Sequence, residues 1–169
     1  MLVHNVAINK LKAVDYLVIK KEHKQLEKYL IDLHDACACS HLDCQTCAQA
    51  KHASCLGRLP SFLFHIIELA DKHFDHEEKI MLSRPHITNE YEYFSYHHQA
   101  HVNLMLRLQA LSDEYLSMRN ESYIGEIYRH FYEKLTDMFE EHDRLFDDPF
   151  IESTRAVVKF KKKLKPENL

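Results

Sequence analysis

The sequence predicts an all-α chain, an up-down-up-down four-helix bundle with a short C-terminal helix and a Cys-rich insert between helices 1 and 2. Three observations carry that expectation. Only two Gly and four Pro occur in 169 residues, too few turn formers for a sheet-rich chain. Apolar residues recur at steps of three and four along four long stretches, the period of a helix with one buried face. The connections between helices two and three, and three and four, are a few residues long, as antiparallel neighbours require.

The first helix, about residues 14 to 36, places Tyr16, Ile19, His23, Leu26, Leu30 and Leu33 on one seam. The second is expected to start near Pro60, a residue tolerated in a first turn. It runs through Phe62, Ile66, Leu69, His73, Glu77 and Ile80, and ends at Arg84-Pro85. A third helix opens around Thr88-Asn89 and carries Phe94, His97, His101, Leu104, Leu108 and Leu111. The fourth follows Asn120 to Ser122, presents Phe131, Leu135, Met138 and His142, and reaches Asp147 just before Pro149. Residues 1–150 thus read as one bundle domain with an insert at 36–57, and residues 151–169 as a C-terminal helix or linker.

Composition removes several functions. The formal net charge of −4 comes from interspersed charges of both signs, which gives no surface for nucleic acid. The basic run from Lys159 to Lys165 reads as a solvated helix end or linker. No apolar run is long enough to insert into a membrane, and the start of the chain lacks the pattern of a signal peptide. The expected location is cytoplasmic, and five cysteines crowded into one segment suit a reducing compartment.

Seven polar residues break the apolar seams: His23, His73, Glu77, His97, His101, His142 and Asp147. An unpaired buried polar group costs roughly 1–3 kcal/mol, and an isolated charge far more. In an antiparallel pair, residues equidistant from the turn lie at one height. Residues 73 with 101 and 77 with 97 both centre on 87, inside a predicted turn, and 97 with 147 centres on 122, at the next. Pairing 23 with 73 centres within the insert. All seven therefore fall in one layer, where a cation would satisfy them together. Side chains four apart differ by about 40° in azimuth and about 6 Å in height, so such pairs can grip one ion or two adjacent ions. Imidazoles suit iron, copper, zinc or nickel, and carboxylates can bridge, so the set describes a dinuclear site better than a mononuclear one.

These residues resemble the hemerythrins, non-haem di-iron proteins that bind dioxygen inside a four-helix bundle. The resemblance rests on Glu22-His23-Lys24-Gln25-Leu26, on His73-Phe74-Asp75-His76-Glu77-Glu78, on His97-x-x-x-His101 and on His142-x-x-x-x-Asp147. It covers roughly residues 14 to 148. It implies that His97, His101 and His142 hold one iron and His23 and His73 the other. It also implies that Glu77 and Asp147 bridge the two with an oxo or hydroxo group. Dioxygen, or another small diatomic ligand, would bind at the iron with fewer histidines. Met138 and Phe139, one turn before His142, are the candidates for lining its pocket.

The insert departs from the short members of that family. Cys37, Cys39, Cys44, Cys47 and Cys55 provide enough thiolates for a zinc site or for a reversible disulfide, with free thiols the third reading. Inserts of this kind, with the basic segment from Ser153 to Lys165, suit the sensor domain of a signalling protein such as a diguanylate cyclase, coupled to an effector domain or partner protein. Dioxygen carriage or storage is the alternative, and a di-iron enzyme acting on peroxide or nitric oxide ranks third. Among the other histidines, His65 is a candidate for orienting a ligand or lining an access path. His76 and His98 read as solvated.

Overall fold

The computed structural model describes residues 13–36, 49–84, 87–118 and 124–152. Its elements are α1 (Ala13–Ala36), α2 (Gln49–Leu82), α3 (Glu92–Met118), α4 (Ile124–His142), a π-helical turn (Asp143–Asp147) and α5 (Asp148–Glu152). No strand occurs among the described residues. The four long helices pack as a bundle, and none is long and apolar enough to cross a membrane.

On α1, Ile19, Leu26 and Leu33 are buried two turns apart, the spacing that returns to one face of a helix. Tyr16, expected on the same seam, is instead exposed. It lies one turn nearer the helix start, at the mouth of a groove, with the Lys20 ammonium 5.6 Å over its ring.

The second helix starts at Gln49, well before the expected start near Pro60, so Pro60 sits inside it. Part of the expected insert is therefore helical, including Cys55 and Gly57. Proline has no N–H to give the carbonyl four residues back, here that of Leu56, which is why Pro60 reads as a boundary. That carbonyl accepts a hydrogen bond from the Tyr115 hydroxyl of α3 at 3.0 Å. The adjacent Cys55 carbonyl accepts one from Tyr128 of α4 at 2.7 Å. Tyr115 thus serves the carbonyl that the proline leaves without an N–H, and Tyr128 the carbonyl beside it.

Contacts along the bundle pair His23 with His73 and Glu22 with His76 between α1 and α2. Leu56 meets Tyr115 and Glu78 meets His98 between α2 and α3. Arg107 meets Glu141, and Glu114 meets His130, between α3 and α4. The buried apolar residues form two clusters. The larger spans all four helices, with Leu63, Leu108, Phe131 and Leu135 among its members. The smaller gathers Ile19, Met81, Tyr93, Phe94, Phe146 and Phe150 at one end. The polar layer falls between them: His23 lies between Ile19 and Leu26, His97 and His101 between Phe94 and Leu104, and His142 between Phe139 and Phe146.

The π-turn solves a geometric problem. In a regular α-helix, residues five apart point about 140° away from each other. Here the Asp148 N–H donates to the Asp143 carbonyl, a five-residue step that widens the turn. Phe146 and Asp147 are both buried as a result. The Tyr93 hydroxyl pins the turn from α3 by donating to the Phe146 carbonyl at 2.9 Å.

Candidate metal centre

Four helical segments bring seven donor side chains together. His73, Glu77, His97, His101, His142 and Asp147 are all at most 4 % exposed, while His23 is half-buried. Two groups of possible ligand atoms form among the described residues, each with its atoms within 4.8 Å of one another. One comprises Glu77, His97, His101, His142 and Asp147, and the other His23, His73, Glu77 and Asp147. Glu77 and Asp147 belong to both. The buried cluster could hold a metal ion.

The contacts are close. Asp147 Oδ1 lies 3.1 Å from the Nε2 atoms of both His97 and His142, and Oδ2 lies 3.2 Å from His23 Nε2. Glu77 Oε2 is 3.3 Å from His97 Nε2 and 3.5 Å from His101 Nε2. His23 and His73 face each other through Nε2 atoms 3.1 Å apart. Distance alone does not satisfy these atoms. Both Glu77 oxygens, Asp147 Oδ2 and the Nε2 atoms of His101 and His142 are buried with no aligned hydrogen-bond partner. Such atoms are rare in a folded interior and costly. Convergent imidazole nitrogens and carboxylate oxygens are also the ligand atoms that first-row transition metals take, so the residues fit a metal.

Two further carboxylates hold the imidazoles from behind. His101 Nδ1 donates to Glu78 Oε1 at 2.8 Å, and His73 Nδ1 to Glu22 Oε2 at 3.3 Å. A proton fixed on Nδ1 leaves the Nε2 lone pair pointing into the centre. Each carboxylate also binds a histidine one turn away and nearer the surface. Glu22 takes His76 at 2.6 Å, and Glu78 takes His98 at 2.9 Å. His76 and His98 are therefore tied to the carboxylates behind the centre rather than merely solvated. Aromatic rings pack the imidazoles: Phe74 stacks on His101 at 4.1 Å, and Phe146 on His142 at 5.3 Å.

Electrostatics without a metal follow from this crowding. Burial alone would lower the His73 pKa, but Asp147 and Glu22 raise it to about 10. His97 likewise loses by burial and gains more from Asp147 and Glu77, reaching about 9. Burial raises the Asp147 pKa, yet His142, His23 and His73 bring it well below the usual range. Glu77 is lowered too, against burial and the Asp147 charge, by His101 and His97. Asp143 is the exception: burial and the Asp147 charge push it up to about 6.

The remaining sequence candidates are scattered. Met138 and Phe139 are both buried in the large cluster, with Phe139 also lining the groove beside His23. His65 is exposed and lies against Tyr29 and Phe64, away from the centre, because its position on α2 faces outward. Cys55 packs half-buried against the large cluster, on a helix rather than in a loop. Cys37, Cys39, Cys44 and Cys47 lie outside the described residues. Sequence reasoning missed the parts played by Glu22 and Glu78, although each directly adjoins a donor residue.

Family models, curated proteins and solved structures give no match to this chain.

Proposed function

We propose that this chain is a hemerythrin-type, non-haem di-iron protein, an up-down-up-down bundle that binds dioxygen or another diatomic ligand and senses oxygen or redox state. The observation that carries this reading is the sharing of Glu77 and Asp147 by two donor groups. A carboxylate common to two groups of imidazoles is the arrangement a bridged pair of metals requires. The inter-helix pairs, in which residue numbers rise on one helix as they fall on its neighbour, support the topology.

His97, His101 and His142 would hold one iron, His23 and His73 the other, and Glu77 and Asp147 both. Iron would supply a reversible change of oxidation state and a coordination place for the diatomic ligand. The chain's own residues do the rest. Glu22 and Glu78 fix the imidazole tautomers, while Phe74, Phe146 and the apolar clusters above and below the layer keep bulk water away. The unequal division of histidines directs the exogenous ligand to the side held by His23 and His73. Sensing is preferred to carriage because the sequence adds a cysteine group, Cys37 to Cys47, that carriage does not need.

The test is metal analysis after anaerobic loading with ferrous iron, followed by visible spectra taken reduced, then with oxygen, then after its removal. About two irons per chain are expected; one or none overturns the dinuclear reading. Fast irreversible conversion to the ferric form supports redox sensing, whereas slow, fully reversible binding supports carriage.

A further inference from the structure

Resting on the reading of this layer as a metal centre, a second question is how a hydrated cation reaches it. Six of the seven donors are almost completely enclosed, and apolar clusters close the layer above and below. A charged ion cannot cross such packing cheaply. The carboxylates behind His73 and His101 are already engaged by two imidazoles each. His23 differs. Its side chain is 23 % exposed, and it lines a groove of about 680 Å³ between α1 and the α4–α5 segment. Behind it, at 3.2 Å, stands Asp147 Oδ2, fully buried and without a hydrogen-bond partner.

The groove is acidic. Glu27, Glu140, Asp143 and Asp148 line it, against the ammonium groups of Lys20 and Lys24. A cleft with an excess of one charge focuses the field and concentrates ions of the opposite sign. We propose that divalent transition-metal ions enter the centre through this groove. Its carboxylates draw the ion in, and His23 passes it to Asp147 and His73. The ion exchanges bound waters for the carboxylate oxygens of the groove and then for the His23 nitrogen, from harder to softer ligand, before the mixed oxygen and nitrogen donors of the centre take it. His23 is therefore a positioning residue for loading as well as a donor.

Cobalt(II) uptake by the metal-free full chain, followed by stopped-flow absorbance, tests this. Neutralising the two exposed glutamates (Glu27→Gln with Glu140→Gln) is expected to slow association about three- to ten-fold at low ionic strength. The difference should shrink as salt screens it, with cobalt stoichiometry unchanged. Lys20→Gln with Lys24→Gln should accelerate uptake, a gain that a folding defect cannot produce. Glu68→Gln with Asp71→Asn, exposed acids of α2 outside the groove, should leave the rate as it was. Unchanged rates in both groove variants at full stoichiometry overturn the route alone, as does equal slowing in the α2 control. A chain that takes up no cobalt or iron overturns the metal reading, and the route with it.

Discussion

His97 Nε2 and Asp147 Oδ1 meet at 3.1 Å, 50 positions apart in the chain, with no solvent reaching either side chain. Two such groups face each other in a dry interior only when each offsets the other's charge or when both serve a third. The contact joins α3 to the π-turn and sets the terms on which the metal-free protein is stable.

Stability and metal affinity of the metal-free protein should both depend on pH. In the metal-free protein, His73 titrates at about 10 and His97 at about 9, against about 6.5 for an unfolded histidine. Folded values above the unfolded one mean that their contribution to stability is full below about 6.5. It is lost as pH rises through 9 to 10. Metals bind neutral imidazole, so loading must displace these protons, and apparent affinity should rise between neutral pH and 9. Calorimetric titration in buffers of different ionisation heat should count about two protons released near pH 7. Affinity independent of pH across that window would contradict the protonated state of both residues.

Glu77→Ala removes a donor common to both ligand groups. Metal content should fall from about two ions per chain to about one or none, while far-UV circular dichroism shows the helices retained. Full metal content in the variant excludes a shared role for this carboxylate.

Glu78→Gln and Glu22→Gln test the anchors behind the imidazoles. Each should weaken metal binding by about 10- to 100-fold, the usual effect of losing an outer partner. Competition with a chromophoric chelator measures it. Because the imidazoles they hold are almost fully buried, stability without metal should also fall, by about 1–3 kcal/mol.

Tyr115→Phe deletes the hydroxyl that serves the Leu56 carbonyl beside Pro60. Loss of this hydrogen bond to a half-buried carbonyl should cost about 0.5–1.5 kcal/mol, to be read from the denaturant midpoint. A variant as stable as the parent would mean that the proline site needs no support from α3.

The helical bundle and the layer of seven donors were legible in the sequence because both depend on local periods and on reflection about short turns. His97 could be preferred to His98 from the reflection of 77 with 97 about residue 87, and Glu77 to Glu78 from the seam; in the structure His97 and Glu77 are buried and their neighbours are not. The start of α2 was not legible. Pro60 carries the local signal of a first turn, whereas the groups that let the helix continue back to Gln49 come from Tyr115 and Tyr128, 59 and 73 positions away. The link between Glu22 and His76 was hidden for the same reason. It spans 54 positions, and nothing in the period of either helix announces it.

The widened turn after His142 has a mechanical consequence. Asp147 belongs to both ligand groups and is the last residue of the π-turn, with α5 starting at Asp148 directly after it. No slack separates the carboxylate from that helix. A shift of Asp147 would therefore be passed directly to α5, whose Phe150 is packed in the smaller apolar cluster. Arg144 is an exposed residue of the same turn. Deleting it would close the turn to ordinary pitch and leave His142 and the carboxylate four positions apart, a spacing that keeps both on one face of the helix and in the layer.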